Sequence, residues 1–143
     1  METIPGPVAG IDYPRNLQEF DRWFADEPAC RSYVFRIRWP EGYQCFRCGS
    51  KTPSWITSRG YLHCRACGGE VSITSGTVFE RTRKPLRVWF QAMWLLTSQK
   101  HGASALGLQR VLGLGSYQTA WTWLHKLRRA MVRPGRERLH GSV

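Results

Sequence analysis

The stretch Cys45-Phe46-Arg47-Cys48-Gly49 and its repeat, Cys64-Arg65-Ala66-Cys67-Gly68, decide the fold of this chain. Each is a pair of cysteines separated by two residues and followed by glycine. Two intervening residues let a tight turn aim both sulfurs at one point, and the glycine can adopt the positive φ that the turn requires. With 15 residues between the pairs, four thiolates can meet one tetrahedral ion. The sequence therefore predicts one structural Zn²⁺, bound by Cys45, Cys48, Cys64 and Cys67.

The residues between the two pairs predict a β-hairpin. Trp55-Ile56-Thr57 and Tyr61-Leu62-His63 are short strand-forming runs on either side of the turn Ser58-Arg59-Gly60. Further strand is predicted at four apolar positions after the second pair, namely Val71, Ile73, Val78 and Phe79. Short antiparallel strands that carry two metal-binding turns form a zinc ribbon.

Other uses of these cysteines fit the sequence less well. Disulfides are typical of secreted domains, and no signal peptide precedes the cysteines. A redox dithiol rarely occurs as a spaced duplicate. His63 could bind metal in principle, but four cysteines already complete a closed site, so we interpret it as a strand residue. The fifth cysteine, Cys30, is expected to pack as a small buried side chain.

Two short helices are predicted before the ribbon. Asn16 is a plausible helix cap, and the apolar residues that follow it at helical spacing are Leu17, Phe20, Trp23 and Phe24. Pro28 is expected to break this helix. A second helix carries Tyr33, Val34, Ile37 and Trp39 and should end at Pro40-Glu41-Gly42.

Three helices are predicted after the ribbon. The first begins at Pro85, a favoured first helical residue, and runs to about Ser98. Ser104 caps the second, whose expected inner positions are Leu106, Leu108, Val111 and Leu112. Ser116 caps the third, which runs to about Val132. Its expected inner face is Tyr117, Ala120, Trp121, Leu124, Leu127 and Met131.

The outward face of the third helix carries the nucleic-acid hypothesis. We expect Gln118, Thr119, Thr122, Trp123, Lys126 and Arg129 to point away from the core. A helix, a glycine turn and a polar helix with a basic end resemble a helix-turn-helix. Amides, hydroxyls and cations are the groups that contact base edges and phosphates. The predicted DNA-binding residues are Gln118, Thr119, Thr122, Lys126, Arg128, Arg129 and Arg133. A bundle of three amphipathic helices without a DNA-binding role remains the alternative.

The charge distribution favours a polyanionic partner. The 143 residues carry a formal charge of +11, yet residues 1–29 have a net charge of −4 and residues 30–143 one of +15. A basic body of this size attracts nucleic acid. No apolar run approaches the roughly 20 residues that a membrane span needs, so no membrane partner is expected.

Several stretches together resemble the N-terminal part of insertion-sequence transposases of the IS1595 type, also called ISXO2-like. The matching stretches are Trp39-Pro40-Glu41-Gly42, Cys64-Arg65-Ala66-Cys67, Ser75-Gly76-Thr77-Val78-Phe79, Pro85-Leu86-Arg87-Val88-Trp89-Phe90, Ala120-Trp121 and Leu124-His125-Lys126-Leu127-Arg128. The resemblance covers about Leu17 to Arg129. It implies a zinc ribbon, then a helical DNA-binding segment that recognises the terminal repeats of the element, then a DDE-type catalytic domain.

The resemblance and the patterns together predict a small α+β fold with four parts. These are a loose tail (1–15), N-terminal helices with the zinc ribbon (16–80), a helix-turn-helix unit (85–132) and a linker (133–143). Catalysis in this family needs clustered carboxylates, and after Asp26 the chain has only Glu27, Glu41, Glu70, Glu80 and Glu137. The sequence is thus expected to be a truncated transposase or a fragment of a longer one, without catalytic activity of its own.

Two classes of function remain open. The first is a DNA-binding module that acts on double-stranded element ends, in the cytoplasm of a bacterium or archaeon and in association with the nucleoid. The second is a protein-interaction module that docks another transposase subunit or a nucleic-acid-associated partner. Neither class implies a small-molecule substrate, and the basic charge favours the first.

Overall fold

The computed structural model describes residues 6–51, 55–132 and 134–135, which form five helices and one sheet. The helices are α1 (Leu17–Trp23), α2 (Glu27–Arg38), α3 (Leu86–Ser98), α4 (Ala105–Leu112) and α5 (Tyr117–Ala130). The strands are β1 (Trp55–Ile56), β2 (Tyr61–His63) and β3 (Glu70–Ser72), antiparallel in the order β1-β2-β3. The predicted small α+β class is confirmed.

The chain divides into two compact units. The first comprises Met1–Ser75 with Pro85–Arg87, and the second comprises Gly76–Lys84 with Val88–Val143. The first unit contains the sheet and the first two helices. The second contains α3 from Val88 onward, α4 and α5.

Capping side chains set the beginnings of the first two helices. The side chain of Asn16 accepts a hydrogen bond from the backbone of Glu19 at 2.9 Å, and that of Asp26 accepts one from Ala29 at the same distance. The expectation that Pro28 breaks the first helix is wrong. That helix has already ended at Trp23, and Pro28 lies in the first turn of α2, where the missing N–H costs no helical hydrogen bond.

Helix α2 is fastened to the ribbon by two of its arginines. Arg31 donates to the carbonyl oxygen of Ser58 at 3.2 Å, and Arg38 donates to that of Ile73 at 2.5 Å. Cys30 is fully buried, as predicted. The helix is therefore an integral part of the ribbon unit rather than a separate appendage.

The sheet is shorter than the sequence suggested. Strand β3 ends at Ser72, and the prediction of further strand at Ile73, Val78 and Phe79 is wrong. The Ser72 hydroxyl accepts from the backbone N–H of Thr74, and the Thr77 hydroxyl accepts from that of Phe79. Local side-chain bonds of this kind compete with a sheet ladder, so the segment forms successive turns.

A carboxylate that is distant in sequence caps the N-terminus of α3, whose first two residues belong to the first unit. The Glu27 oxygens accept from the backbone N–H groups of Leu86 at 2.8 Å and Arg87 at 3.4 Å. Arg87 in turn donates to the carbonyl oxygen of Phe24 at 2.7 Å. Because the first N–H groups of a helix lack intrahelical partners, this carboxylate replaces the missing local cap.

In the second unit, α4 and α5 begin as predicted. Ser104 accepts from the backbone of Gly107 at 3.0 Å, and Ser116 accepts from that of Thr119 at 3.1 Å. Gly113 ends α4 with φ +62°, a left-handed conformation that glycine adopts readily. The core of the unit contains a stacked pair, Trp89 on α3 and Trp123 on α5, with ring centroids 3.7 Å apart.

The predicted inner face of α5 is partly wrong. Its buried residues are Ala120, Trp123, Leu124 and Leu127. Trp123 was expected outside, whereas Trp121, Tyr117 and Met131, which were expected inside, are each at least half exposed. At about 100° per residue, Trp123 lies about 50° from the centre of the buried stripe and Trp121 about 110° from it.

Two predicted inner positions on α4 are also wrong, because the helix turns a different side towards the core than the sequence suggested. Ala105 and Leu108 are buried, whereas Leu106 and Val111, predicted to point inward, are exposed by 45% and 68%. Both lie roughly 90° or more from the buried stripe of a regular helix. These two apolar side chains therefore both face outward, on different sides of α4, because positions five residues apart differ by about 140°.

Candidate metal centre and exposed helix face

The two cysteine turns have the same backbone geometry. Cys45 and Cys64 each accept, through the carbonyl oxygen, a hydrogen bond of 2.9 Å from the glycine four residues later. Those glycines, Gly49 and Gly68, both have φ +69°, the left-handed conformation for which the sequence selects glycine. The repeat in sequence is thus a repeat in structure.

The four sulfurs lie close enough to hold one ion. All four Sγ atoms lie within 4.8 Å of one another. The pairs Cys45–Cys67 and Cys48–Cys64, each of which joins the two turns, are both separated by 3.7 Å. A tetrahedron of sulfurs about 2.3 Å from zinc has edges of about 3.8 Å. The cluster fits one structural zinc, as predicted.

Backbone N–H groups prepare two of the thiols for ionisation. The N–H of Cys48 is the main cause that lowers the pKa of Cys45 to about 6, and the N–H of Cys67 similarly lowers the pKa of Cys64. The N–H of Ser50 favours the Cys48 thiolate too, but desolvation and the neighbouring sulfurs outweigh it and raise the pKa of Cys48 to about 12. Four thiolates at this spacing therefore require a cation.

Bound zinc would hold the two turns together and carry out no reaction. Four protein ligands leave no open coordination position for a water or a substrate. Cys45 and Cys64 are buried, while Cys48 and Cys67 are exposed, so the centre lies at the edge of its unit. His63 is a residue of β2, as predicted, and its ring contacts Glu70 at 3.2 Å.

The structure places most of the predicted DNA-binding residues on the solvent side of α5. Gln118, Thr122, Lys126, Arg128 and Arg129 are exposed. The Thr122 hydroxyl donates to the carbonyl oxygen of Gln118 at 2.8 Å. Gln118, Thr122 and Arg129 share one line along the helix, because positions four and seven residues apart face the same way.

Four predicted residues stand apart from that line. Lys126 is exposed beside it, about 60° around the helix from Arg129. Thr119 is half-buried, and its hydroxyl is 2.9 Å from that of Ser116, so it takes part in the helix cap. Arg128 donates to the carbonyl oxygen of Ala103 at 3.1 Å. Arg133 lies outside the described residues.

Two aromatic residues on this surface were missed by the sequence reasoning. Trp121 is 52% exposed, and its ring lies 3.9 Å from that of His125. His125 is exposed between the angular positions of Gln118 and Trp121. The spacing of Ala120, Trp123, Leu124 and Leu127 follows the i, i+3, i+4, i+7 pattern of a buried helix face. This pattern could have shown that Trp121 and His125 lie on the opposite, exposed side.

Cysteine turns of this geometry, joined by a short antiparallel sheet, define a zinc ribbon. Residues 25–70 match the family model of the transposase zinc-ribbon domain, and this range contains α2, the strands β1 and β2 and all four clustered cysteines. This stretch is therefore a zinc ribbon of the kind that transposases carry.

The chain is also similar to an uncharacterized protein in transposable element ISH50 of Halobacterium salinarum. The two are 29% identical over 124 residues, which make up 84% of this chain and 40% of the relative. The chain thus spans about two fifths of the length of this curated relative. No solved structure significantly matches this chain. Within the described residues, no helix is both long and apolar enough to cross a membrane.

Proposed function

We propose that this chain is the zinc-dependent DNA-binding part of an insertion-element transposase and recognises the terminal repeats of its element. The observation that carries the proposal is the exposed polar and basic face of α5, which follows α4 after a glycine turn. A helix in this position can enter the major groove. The transposase zinc ribbon of residues 25–70 and the ISH50 relative support the context.

The residues of this face would make different kinds of contact with DNA. The Gln118 amide, near the helix N-terminus, suits bidentate contact with adenine, and Thr122 suits a second base contact. Lys126 and Arg129, towards the C-terminus, would bind phosphates and fix the orientation of the helix without reading sequence. Trp121 and His125 would add apolar and stacking surface beside Gln118. Arg128, held by Ala103, would contribute charge at the edge of the face.

The charge of the chain supports the same partner. Residues 30–143 carry a net charge of +15, which would hold the chain near DNA before any specific contact forms. Such a protein would work on double-stranded DNA in the cytoplasm, at the nucleoid. By itself it would neither cut nor join strands.

A second candidate function rests on two outward apolar residues of α4. Leu106 and Val111 are exposed, and exposed apolar surface can mark contact with another protein. The partner would be another transposase subunit. Replacement of both residues by serine should then abolish association in gel filtration while leaving the affinity for a single DNA site unchanged.

The deciding experiment is selection of duplexes from a random pool, followed by binding of variants at several salt concentrations. Gln118→Ala should cost about 1–3 kcal/mol on the selected duplex and little on a scrambled one. Lys126→Ala should weaken both alike and reduce the slope of log K against log salt by about one. Lys100→Ala removes the same charge from an exposed position at the end of α3 and is the matched control.

Unchanged affinity in both the Gln118 and the Lys126 variants would contradict the assignment of α5. A parent chain without steep salt dependence would contradict DNA binding altogether, because release of counterions from phosphates is unavoidable in such a complex.

A further inference from the structure

A groove in the second unit brings together charges from two separate parts of the sequence. Its volume is about 570 Å³, and it lies between the turn segment after the sheet and the C-terminal half of α5. Arg81 lines it from the turn segment, and Lys126 and Arg129 line it from the helix. One carboxylate, Glu80, also reaches the groove. The lining therefore has an excess of two positive charges.

The three cations are available to a ligand. All three residues are exposed, and within residues 6–51, 55–132 and 134–135 none of them forms an ion pair with a carboxylate. Lys126 and Arg129 are three residues apart on α5 and so lie on adjoining sides of the helix. Three positive charges beside a single carboxylate leave an excess of positive charge, and the binding of an anion would relieve their repulsion.

Arg81 holds an unusual backbone conformation at this place. Its φ is +58°, and it is the one non-glycine residue with positive φ in the described part of the chain. Glycine would adopt this conformation more easily. A strained conformation at a charged residue is a reason to look for a function.

The turn that carries Arg81 is anchored on both sides. Phe79 packs against the Trp89 ring at 5.6 Å, and the Trp89 indole N–H donates to the Thr82 hydroxyl at 2.7 Å. The backbone of Thr82 also donates to the carbonyl oxygen of Phe79 at 3.1 Å. The position of the Arg81 backbone relative to α3 is thus fixed before any ligand binds.

We propose that Arg81, Lys126 and Arg129 bind neighbouring phosphates of the DNA backbone at this groove, with Arg81 as a contact residue outside the helices. The inference rests on the proposed function, since it requires α5 to face DNA. A guanidinium presents two parallel donors that match one phosphate, and the two cations of α5 can neutralise the phosphates next to it. The contact would fix the register of α5 on the duplex and carry no sequence information.

The variant Arg81→Gly removes the side chain and at the same time relieves the backbone strain at this position, so that a loss of binding cannot be due to a loss of stability. Glycine relieves the left-handed backbone, so the thermal midpoint should stay the same or rise. Loss of one phosphate contact should reduce the salt slope by about 0.9 and weaken binding about eightfold at about 0.1 M salt. The weakening should be equal on selected and scrambled duplexes.

Three further variants sharpen the test in the full chain. Arg83→Ala removes the same charge two residues away, outside the groove lining, and should change affinity by less than about twofold. Arg81→Lys should keep most of the salt slope, because the charge remains. Glu80→Gln should strengthen binding to both duplexes, because it removes the one negative charge in the groove.

The outcomes distinguish this inference from the proposed function. If Arg81→Gly binds like the parent while Lys126→Ala weakens binding, the groove is not a contact and the proposed function stands. If the parent shows no salt-dependent DNA binding, both fail. Inorganic phosphate at constant ionic strength is the remaining probe. If it raises the thermal midpoint of the parent but not that of Arg81→Gly, the groove takes a free phosphate and the assignment to DNA is overturned.

Discussion

Two tryptophans in one helix, two residues apart, have opposite environments. Trp123 is 6% exposed and stacked on Trp89 with an interplanar angle of 14°, whereas Trp121 is 52% exposed. A buried aromatic ring stabilises the folded state, because a large apolar area is removed from water and the ring contacts its neighbour. An exposed ring contributes little to stability, so Trp121 is free to serve binding.

We therefore expect the two alanine variants to separate stability from binding. Trp123→Ala should lower the free energy of unfolding by about 3–5 kcal/mol, because it leaves a cavity beside Trp89. Trp121→Ala should change it by less than about 0.5 kcal/mol and should weaken DNA binding instead. Urea unfolding followed by circular dichroism measures the first effect, and titration with a duplex measures the second. Equal destabilisation by both variants would contradict the observed orientation of α5.

A second residue-scale feature is the carboxylate of Glu19 in α1. Its side chain is 7% exposed and accepts hydrogen bonds from the backbone N–H of Arg15 at 2.8 Å and from the Arg15 guanidinium. The bonds from Arg15 hold the pKa of Glu19 below its ordinary value of 4.5. The folded state thus binds the proton less readily than the unfolded chain does.

This lowered pKa predicts a pH dependence of stability with a definite sign. The stabilisation by Glu19 is fully present above pH 4.5 and is lost as the pH falls through the pKa of the folded state. Glu19→Gln should therefore lose less stability than the parent between about pH 6 and pH 3. Denaturant midpoints at the two pH values test this, with Glu41→Gln, an exposed acid, as the control. A loss identical to that of the parent would show that Glu19 does not contribute.

At the scale of elements, the zinc ribbon depends on its metal more than on its strands. Its strands have only two or three residues each, too few to be stable on hydrogen bonds alone. In small metal domains the free energy of metal binding is the free energy of folding. The two turns and the sheet should therefore form and unfold together with zinc binding.

Chelation or loss of one ligand should unfold this element. Cys64→Ser should bind less than one zinc per chain by elemental analysis and should lose the ordered signals of residues 55–72 in NMR spectra. Cys30→Ala, which removes a cysteine outside the cluster, should retain one zinc. A parent protein that is purified without chelator and contains no zinc would refute the assignment.

The elements that could be predicted are those whose signals are local. The spacing of the cysteines and the caps Asn16, Ser104 and Ser116 depend on residues within a few positions, and the structure has them as predicted. The caps of α2 and α3, by Asp26 and Glu27, were not foreseen. Glu27 acts on a helix that begins about 60 residues later, and no local pattern reports such a contact.

The orientation of α5 about its own axis was also predicted incorrectly. Hydrophobic periodicity alone cannot choose between Trp121 and Trp123, since either can extend the stripe around Ala120, Leu124 and Leu127 at one edge. Packing against Trp89, which lies 34 residues earlier in the chain, makes the choice. The exposed face of α5 was therefore predicted for its polar residues and missed for its aromatic ones.

At the scale of the whole molecule, acidic residues are concentrated in one part of the chain. Residues 1–29 hold six of the ten acids, and 114 residues hold the other four. Among the described residues, the cysteine cluster is the group whose geometry could hold a metal ion. Strand cleavage by metal ions needs clustered carboxylates that hold them.

The proposed function predicts that the chain alone neither nicks nor joins DNA. Incubation of the purified protein with supercoiled plasmid and Mg²⁺ or Mn²⁺ should leave the plasmid intact over hours. The zinc-depleted protein serves as the control for contaminating nucleases. Metal-dependent nicking that elutes with the protein in gel filtration, and that persists through repurification, would contradict the expectation.

Zinc binding at the four-cysteine centre also changes the net charge of the molecule. The formal value of +11 counts every cysteine as an uncharged thiol, but four thiolates bring four negative charges and the ion brings two positive ones, which leaves +9. Removal of zinc with reprotonation of the thiols reverses this change. The demetallated chain is thus more cationic than the native one at the moment when its ribbon has lost its order. Retention on heparin or in a gel shift should persist, or even increase, after chelation, and such retention would report ion exchange by an unfolded polycation.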